Sequence, residues 1–185
     1  MNILAIDTCT EIASITLYSS GVKTSRKLSD IAKSSGHILK LCDKVFIEAD
    51  MKLSEVDFVA YTKGPGAFTG VRMCIGVVQG LSLSCNLPTL GFSTLELLGY
   101  RASRKFNTQK IATAIDARMG EIYWAVYLEG LVKSEKICRP EQVDKLGGEF
   151  VGVGNGWKIH KDSLIKASEI KCCLLYTSPS PRDRG

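Results

Sequence analysis

Ile3-Leu4-Ala5-Ile6-Asp7-Thr8-Cys9-Thr10 is the stretch on which the fold turns. A continuous apolar run that stops at an aspartate has the composition of a central strand buried on both faces. Two further β patterns follow at residues 12–18 and 22–28, with Ser19-Ser20-Gly21 as the hairpin turn between them. No basic segment precedes the apolar run and Asp7 interrupts it early, so it is expected to be a strand and not a secretory leader.

Outward from this opening, residues 34–51 place Ile38, Leu41, Cys42, Val45, Phe46 and Ala49 at the spacing of one buried helical face. A strand is expected at 56–61, a glycine-rich loop at 64–70, and a helix at 71–85 that Pro88 prevents from running on. A third helix follows at 94–105, with Ser93 as its N-cap. Strands are then predicted at 110–116, 121–128 and 131–137, a short helix from Pro140, and a strand at 150–153. Three strands, helix, strand, helix and then a second strand-rich unit is the order of the ribonuclease-H-like α/β fold of the actin, Hsp70 and sugar-kinase superfamily. Such a likeness concerns fold and leaves function open. The expected division is an N-terminal lobe at 1–105 and a partial C-terminal lobe at 106–171. Residues 172–185, rich in Ser and Pro and without any period, read as a non-native tail similar to a translated sequencing adapter, which leaves the C-terminal lobe truncated. A natural disordered end has the same composition.

Composition narrows the function classes. The 185 residues are 45% hydrophobic and 23% charged, the balance of an ordinary globular protein. No stretch approaches the run of about 20 apolar residues that a membrane span needs, so no membrane role is expected. The seven cysteines are mostly widely spaced singles inside apolar patterns, without C-x-x-C or zinc-like spacing, which points to a reducing cytoplasm. The net charge of +5 includes +2 from residues 171–185, so the remainder is too balanced to argue for nucleic-acid binding on overall charge alone.

Several motifs have the residue types of a site. Asp7, Thr8, Cys9 and Thr10 stand where superfamily ATPases place a phosphate-binding hairpin, but those hairpins need a glycine just after the aspartate so that backbone amides can approach phosphate oxygens. Asp7 can equally end a strand and bond the turn amides. Gly64, Gly66, Thr69 and Gly70 precede a helix, a setting for anion binding at a helix N-terminus; their spacing is not that of a P-loop. A Gly-Pro-Gly turn with Thr69 or Gly70 capping the helix accounts for the same residues. Arg72 can pair with a phosphate or with Asp7. The chain has only two histidines, His37 and His160, so it lacks the His pair of a metalloprotease and no metal is expected on it. Asp116, Arg118 and Glu121 span a strand–turn–strand and read either as acid/base machinery or as a turn with a local ion pair. Ser82, Ser84 and Ser93 lack the G-x-S-x-G setting of a serine hydrolase.

The helix at 71–85 argues for a partner. At 100° per residue Val71, Cys74, Ile75, Val78 and Cys85 share the expected core face, while Met73, Gly76, Val77, Gly80, Leu83 and Ser84 form an opposite face without charge, flanked by Arg72 and Gln79. A helix apolar on both sides is covered on both sides. Gly76 and Gly80 each cost about 0.8–1 kcal/mol relative to alanine in a helix interior, which is understandable where another helix approaches closely. The cover is either the chain's own 34–51 helix or another subunit.

Three segments carry a resemblance to a known family: 3–10; 63–72 running on through Gly76, Gln79-Gly80-Leu81 and Pro88 to Ser93-Thr94-Leu95; and 115–124. Together they resemble the bacterial TsaB (YeaZ) family along residues 1–161. Ala67 stands where that family usually has serine, and Met73-Cys74 replaces a more aliphatic pair. The resemblance implies a non-catalytic partner and activator in the synthesis of N6-threonylcarbamoyladenosine at the tRNA adenosine next to the anticodon. It implies pairing with the catalytic paralogue TsaD, or with a second copy, through helices of the N-terminal region. It places the ATPase role on TsaE, the threonylcarbamoyl-adenylate donor on TsaC-type enzymes, and ATP and metal on partner subunits, with tRNA meeting this chain only indirectly. The rival expectation is an enzyme, an ATP-dependent kinase or a metal-dependent glycoprotease. The missing hairpin glycine and the missing histidine pair speak against these in turn.

Overall fold

The computed structural model describes residues 1–10, 12–28 and 36–172. They form two units that divide after Thr94.

The first unit is a mixed sheet in the order β3-β2-β1-β4-β5, made of β1 (Ile3–Asp7), β2 (Ala13–Ser19), β3 (Val22–Leu28), β4 (Phe58–Thr62) and β5 (Thr89–Phe92). β1 pairs antiparallel with β2 and parallel with β4, β2 pairs antiparallel with β3, and β4 pairs parallel with β5. This is the ribonuclease-H-like arrangement. The β2–β3 turn takes positive φ at Ser20 and Gly21, as the twist of a tight hairpin requires. β1 is less symmetric than its sequence implies: Leu4 and Ile6 are fully buried, whereas Ile3 and Ala5 on the other face are only half-buried. Against Leu4 and Ile6 pack Ile15 and Leu17 of β2, Ile38, Cys42 and Val45 of α1 (Ile38–Glu48), and Cys74 and Val78 of α2 (Phe68–Cys85). α1 is shorter than the expected 34–51 helix, with His37 at its N-cap; residues 34 and 35 lie outside the described residues. β5 is absent from the sequence reading because its four residues follow a proline and show no alternation.

α2 differs from expectation at both ends. It starts at Phe68, so Thr69 and Gly70 belong to its first turn and cap nothing; the N-cap is Ala67, without a side-chain cap bond. Its core face is Gly70, Cys74 and Val78, with Met73, Val77 and Leu81 half-buried against the same core, whereas Cys85 is exposed. The helix is long and apolar enough to cross a membrane by length and composition, with mean hydropathy 1.3. Here it lies on the sheet.

The second unit is a sheet in the order β10-β6-β7-β8, from β6 (Lys110–Arg118), β7 (Glu121–Leu128), β8 (Leu131–Cys138) and β10 (Val151–Val153), with a small parallel pair β9 (Gly148–Glu149) and β11 (Ile170–Cys172) beside it. α3 (Thr94–Phe106) belongs to this unit, not to the N-terminal lobe expected at 1–105, because Leu95, Leu98 and Ala102 pack on Ile111, Ile115, Ala125 and Tyr127. Alternate residues of β6, Ala112 and Ala114, join a second core with Trp124, Leu164 of α5 (Lys161–Ser168) and Trp157 of α4 (Asn155–Ile159). The two indole rings lie 5.9 Å apart and tilted, and the Trp157 indole N–H donates to the Ala112 carbonyl at 2.8 Å. β11 reaches Cys172, the first residue of the expected tail; residues 173–185 lie outside the described residues.

Candidate functional site

The residues proposed as an anion loop do come together, as a packing joint. Asp7 ends β1, and its Oδ1 accepts the Cys9 N–H (3.0 Å) and the Thr62 hydroxyl (2.8 Å). The buried Thr8 hydroxyl donates to the Gly70 carbonyl at 2.6 Å, and the Ala67 N–H donates to the Cys9 carbonyl at 3.0 Å. A Cβ on Gly66 would overlap the Cys9 carbonyl oxygen, and one on Gly70 would overlap that of Thr8. These two glycines let α2 press its first turn onto the hairpin, and the hairpin meets them with carbonyl oxygens, groups that repel a phosphate. Thr69 is exposed on the far side of the turn. Arg72 lies over the Phe68 ring, 3.2 Å from its centroid, and does not reach Asp7. Gly64, at φ +99°, accepts the Thr94 N–H through its carbonyl at 2.8 Å.

Two thiols are buried at this joint. The Cys9 Sγ donates to the Thr62 carbonyl at 3.3 Å, and the Cys74 Sγ to the Ile6 carbonyl at 3.6 Å. The neighbouring Cys74 thiol is the largest influence drawing the Cys9 pKa down to about 7, against burial and the Asp7 charge, with the Thr62 hydroxyl helping. The same pairing, together with burial, pushes Cys74 up.

In the second unit Asp116, Arg118 and Glu121 do not assemble as acid/base machinery, nor as a turn with an ion pair. Arg118 and Met119 take positive φ at the turn, and Arg118 projects into solvent. Asp116 instead faces His160, with Nε2 to Oδ1 at 3.5 Å, and its backbone N–H donates to Asn155 Oδ1 at 2.9 Å. This pair was invisible in sequence because 44 residues separate its members. Among the described residues no group of three or more His, Cys, Asp or Glu could hold a metal.

The outer face of α2 is open. Phe68 is 73% exposed and Leu83 84% exposed, and Arg72, Gly76, Gln79, Gly80 and Ser84 lie exposed along the same side. A Cβ on Gly76 or Gly80 would meet nothing within 4 Å, so α1 does not cover this face. Met73 and Val77, expected to share it, lean on the core instead. Phe68 was missed because Gly70 reads as loop and hides the first turn of the helix.

Comparison with known proteins sets this geometry in a family. A chain of Buchnera aphidicola subsp. Schizaphis graminum described as tRNA threonylcarbamoyladenosine biosynthesis protein TsaB is 36% identical, over 98% of this chain and 90% of that one. Its namesake in Escherichia coli strain K12 is 38% identical over 88% of this chain and 74% of that one. The chain belongs to the TsaB family. The solved structure of YeaZ from Pseudomonas aeruginosa superposes with a TM-score of 0.83 at 35% identity, covering 98% of this chain and 87% of that one. The domain family described as TsaD: tRNA N6-adenosine threonylcarbamoyltransferase matches residues 30–181. A domain type named for a transferase thus covers residues 30–181 of this chain, and the hairpin at Thr8–Cys9, which precedes that match, is filled by the chain's own α2.

Proposed function

We propose that this chain serves threonylcarbamoyladenosine biosynthesis in tRNA as a non-catalytic subunit. It binds a TsaD-type transferase through the outer face of α2. The observation that carries this reading is the apolar 18-residue helix whose far side, from Phe68 to Leu83, is covered by no other element among the described residues. An exposed apolar patch rimmed by polar groups marks an interaction surface. The filled hairpin supports the absence of a nucleotide site on this chain, so ATP and metal are assigned to partner subunits. A TsaE-type ATPase completes the assembly, and a second copy of this chain can use the same α2 face when the transferase is absent. The setting is the cytoplasm, where tRNA is modified.

The test is a pull-down with the TsaD-type transferase followed by a modification assay with and without this chain. Capture of the transferase and loss of modified adenosine on omission are expected. Normal modification without this chain would refute the reading.

A further inference from the structure

Among the described residues, the outer face of α3 carries a concentration of positive charge. Tyr100, Arg101, Arg104 and Lys105 are exposed on the helix, and Lys110 is exposed where β6 begins. Residues 95–110 hold these four cations against one acid, Glu96 in the first turn, a net +3 within a chain of net +5. Arg101 and Arg104 make no ion pair among the described residues. Complementing the helix macrodipole accounts for Arg104 and Lys105 in the last turn. It does not account for Arg101 a turn earlier, for Lys110 beyond the helix, or for Tyr100, which is 52% exposed and lies one and four residues before Arg101 and Arg104 on the helix. The opposite side, Leu95, Leu98 and Ala102, is buried in its own sheet, and Arg101, Arg104 and Lys110 are exposed.

We infer that this face binds RNA, with Arg101, Arg104 and Lys110 on backbone phosphates and the Tyr100 ring stacked on an unpaired base. Arginines positioned along a helix suit phosphate contacts, and an exposed aromatic among them suits the splayed bases by which RNA is recognised. An anionic membrane would call for several exposed aliphatic side chains next to the cations, and the one aliphatic residue in line with Arg101 and Arg104, Leu97, is half-buried. The inference rests on the proposed role in tRNA modification and deepens it: the chain itself contacts the tRNA.

The test measures tRNA binding by fluorescence anisotropy at low and moderate salt, for the full chain and for its complex with the TsaD-type transferase. Wild type is compared with the double variant Arg101→Gln/Arg104→Gln and with Tyr100→Ala, after checking that melting temperatures match. Two lost phosphate contacts should lower the slope of log K against log salt by about 1.4–1.8 and weaken binding on the order of tenfold. Tyr100→Ala should weaken binding to folded tRNA more than to a blunt RNA duplex. Unchanged tRNA affinity and slope in the double variant would overturn the inference, as would binding of anionic phospholipid vesicles in preference to tRNA. If the variants bind tRNA as wild type does while the complex still forms and modifies, this inference fails and the proposed function stands. If the chain binds tRNA through this face but captures no transferase, the proposed function fails alone.

Discussion

The Thr8 hydroxyl bonds the Gly70 carbonyl at 2.6 Å, while the Thr8 carbonyl oxygen lies where a Cβ on Gly70 would have to be. Strand end and helix start are thus locked by one residue pair with both backbones in contact. A side chain at Gly70 must push α2 off the hairpin. Gly70→Ala should therefore destabilise the chain by about 2 kcal/mol or more, in the range of overpacked cores. Chemical denaturation checks it; a variant as stable as wild type would mean that the contact is not tight. Thr8→Val, which removes this buried hydrogen bond, should cost roughly 0.5–1.5 kcal/mol by the same measurement.

How legible this was depends on the residue. Three strands and their hairpin could be read from residues 3–28 because apolar pattern and turn chemistry agree there. Strands β6 to β8 were likewise visible, and Glu121–Leu128 matches its predicted bounds. The start of α2 was misread because Gly70 looks like a loop residue until one sees that it is small in order to meet Thr8. The unit boundary was misread because nothing local to α3 says which sheet Leu95 and Leu98 will meet. The Asp116–His160 pair depends on tertiary placement alone.

The Cys9–Cys74 pair makes stability depend on pH near neutrality. Cys9 titrates at about 7 in the folded chain, below its ordinary value of 9.0. An acid with a depressed folded pKa contributes stability that is fully present above its unfolded pKa and is lost as pH falls through the folded one. Stability should therefore rise between pH 7 and 9, by on the order of 1–2 kcal/mol. Cys74 is shifted the other way, so above its ordinary value of 9.0 its contribution reverses the trend. Cys74→Ala removes the neighbouring thiol that lowers the Cys9 pKa and should flatten the rise. Denaturation midpoints at pH 7, 8 and 9 decide it, and an equal rise in the variant would count against the pairing.

Gly80→Leu separates the fold from the interface. Open space around Gly80 means that the isolated chain should fold normally and gain up to about 1 kcal/mol in helix propensity. Binding to the TsaD-type transferase should fall sharply, since an added side chain at the centre of an interface is felt more than one at the rim. Leu83→Asp should act in the same direction. Melting temperature and complex formation on one sample provide the check; a stable Gly80→Leu chain that still binds normally would remove α2 as the partner surface.

Asp7 is where an enzyme and a scaffold give opposite results. Its carboxylate accepts the Cys9 N–H and the Thr62 hydroxyl and so holds the end of β1 to β4. Hydrogen bonds to a charged acceptor contribute about 1.5–3 kcal/mol, so Asp7→Ala should lower the melting temperature clearly. With no room between the hairpin and Gly66–Gly70 for a phosphate, the purified chain should show no ATP turnover or peptidase activity of its own. Below its melting transition the Asp7→Ala chain should still support tRNA modification by the complex, because its α2 face is intact. A catalytic aspartate would give the reverse, an unchanged melting temperature with activity abolished. Measuring thermal stability, ATP hydrolysis by the chain alone and modification by the complex, all on the same preparation, distinguishes the two, and robust hydrolysis that disappears in Asp7→Ala would sink the non-catalytic reading.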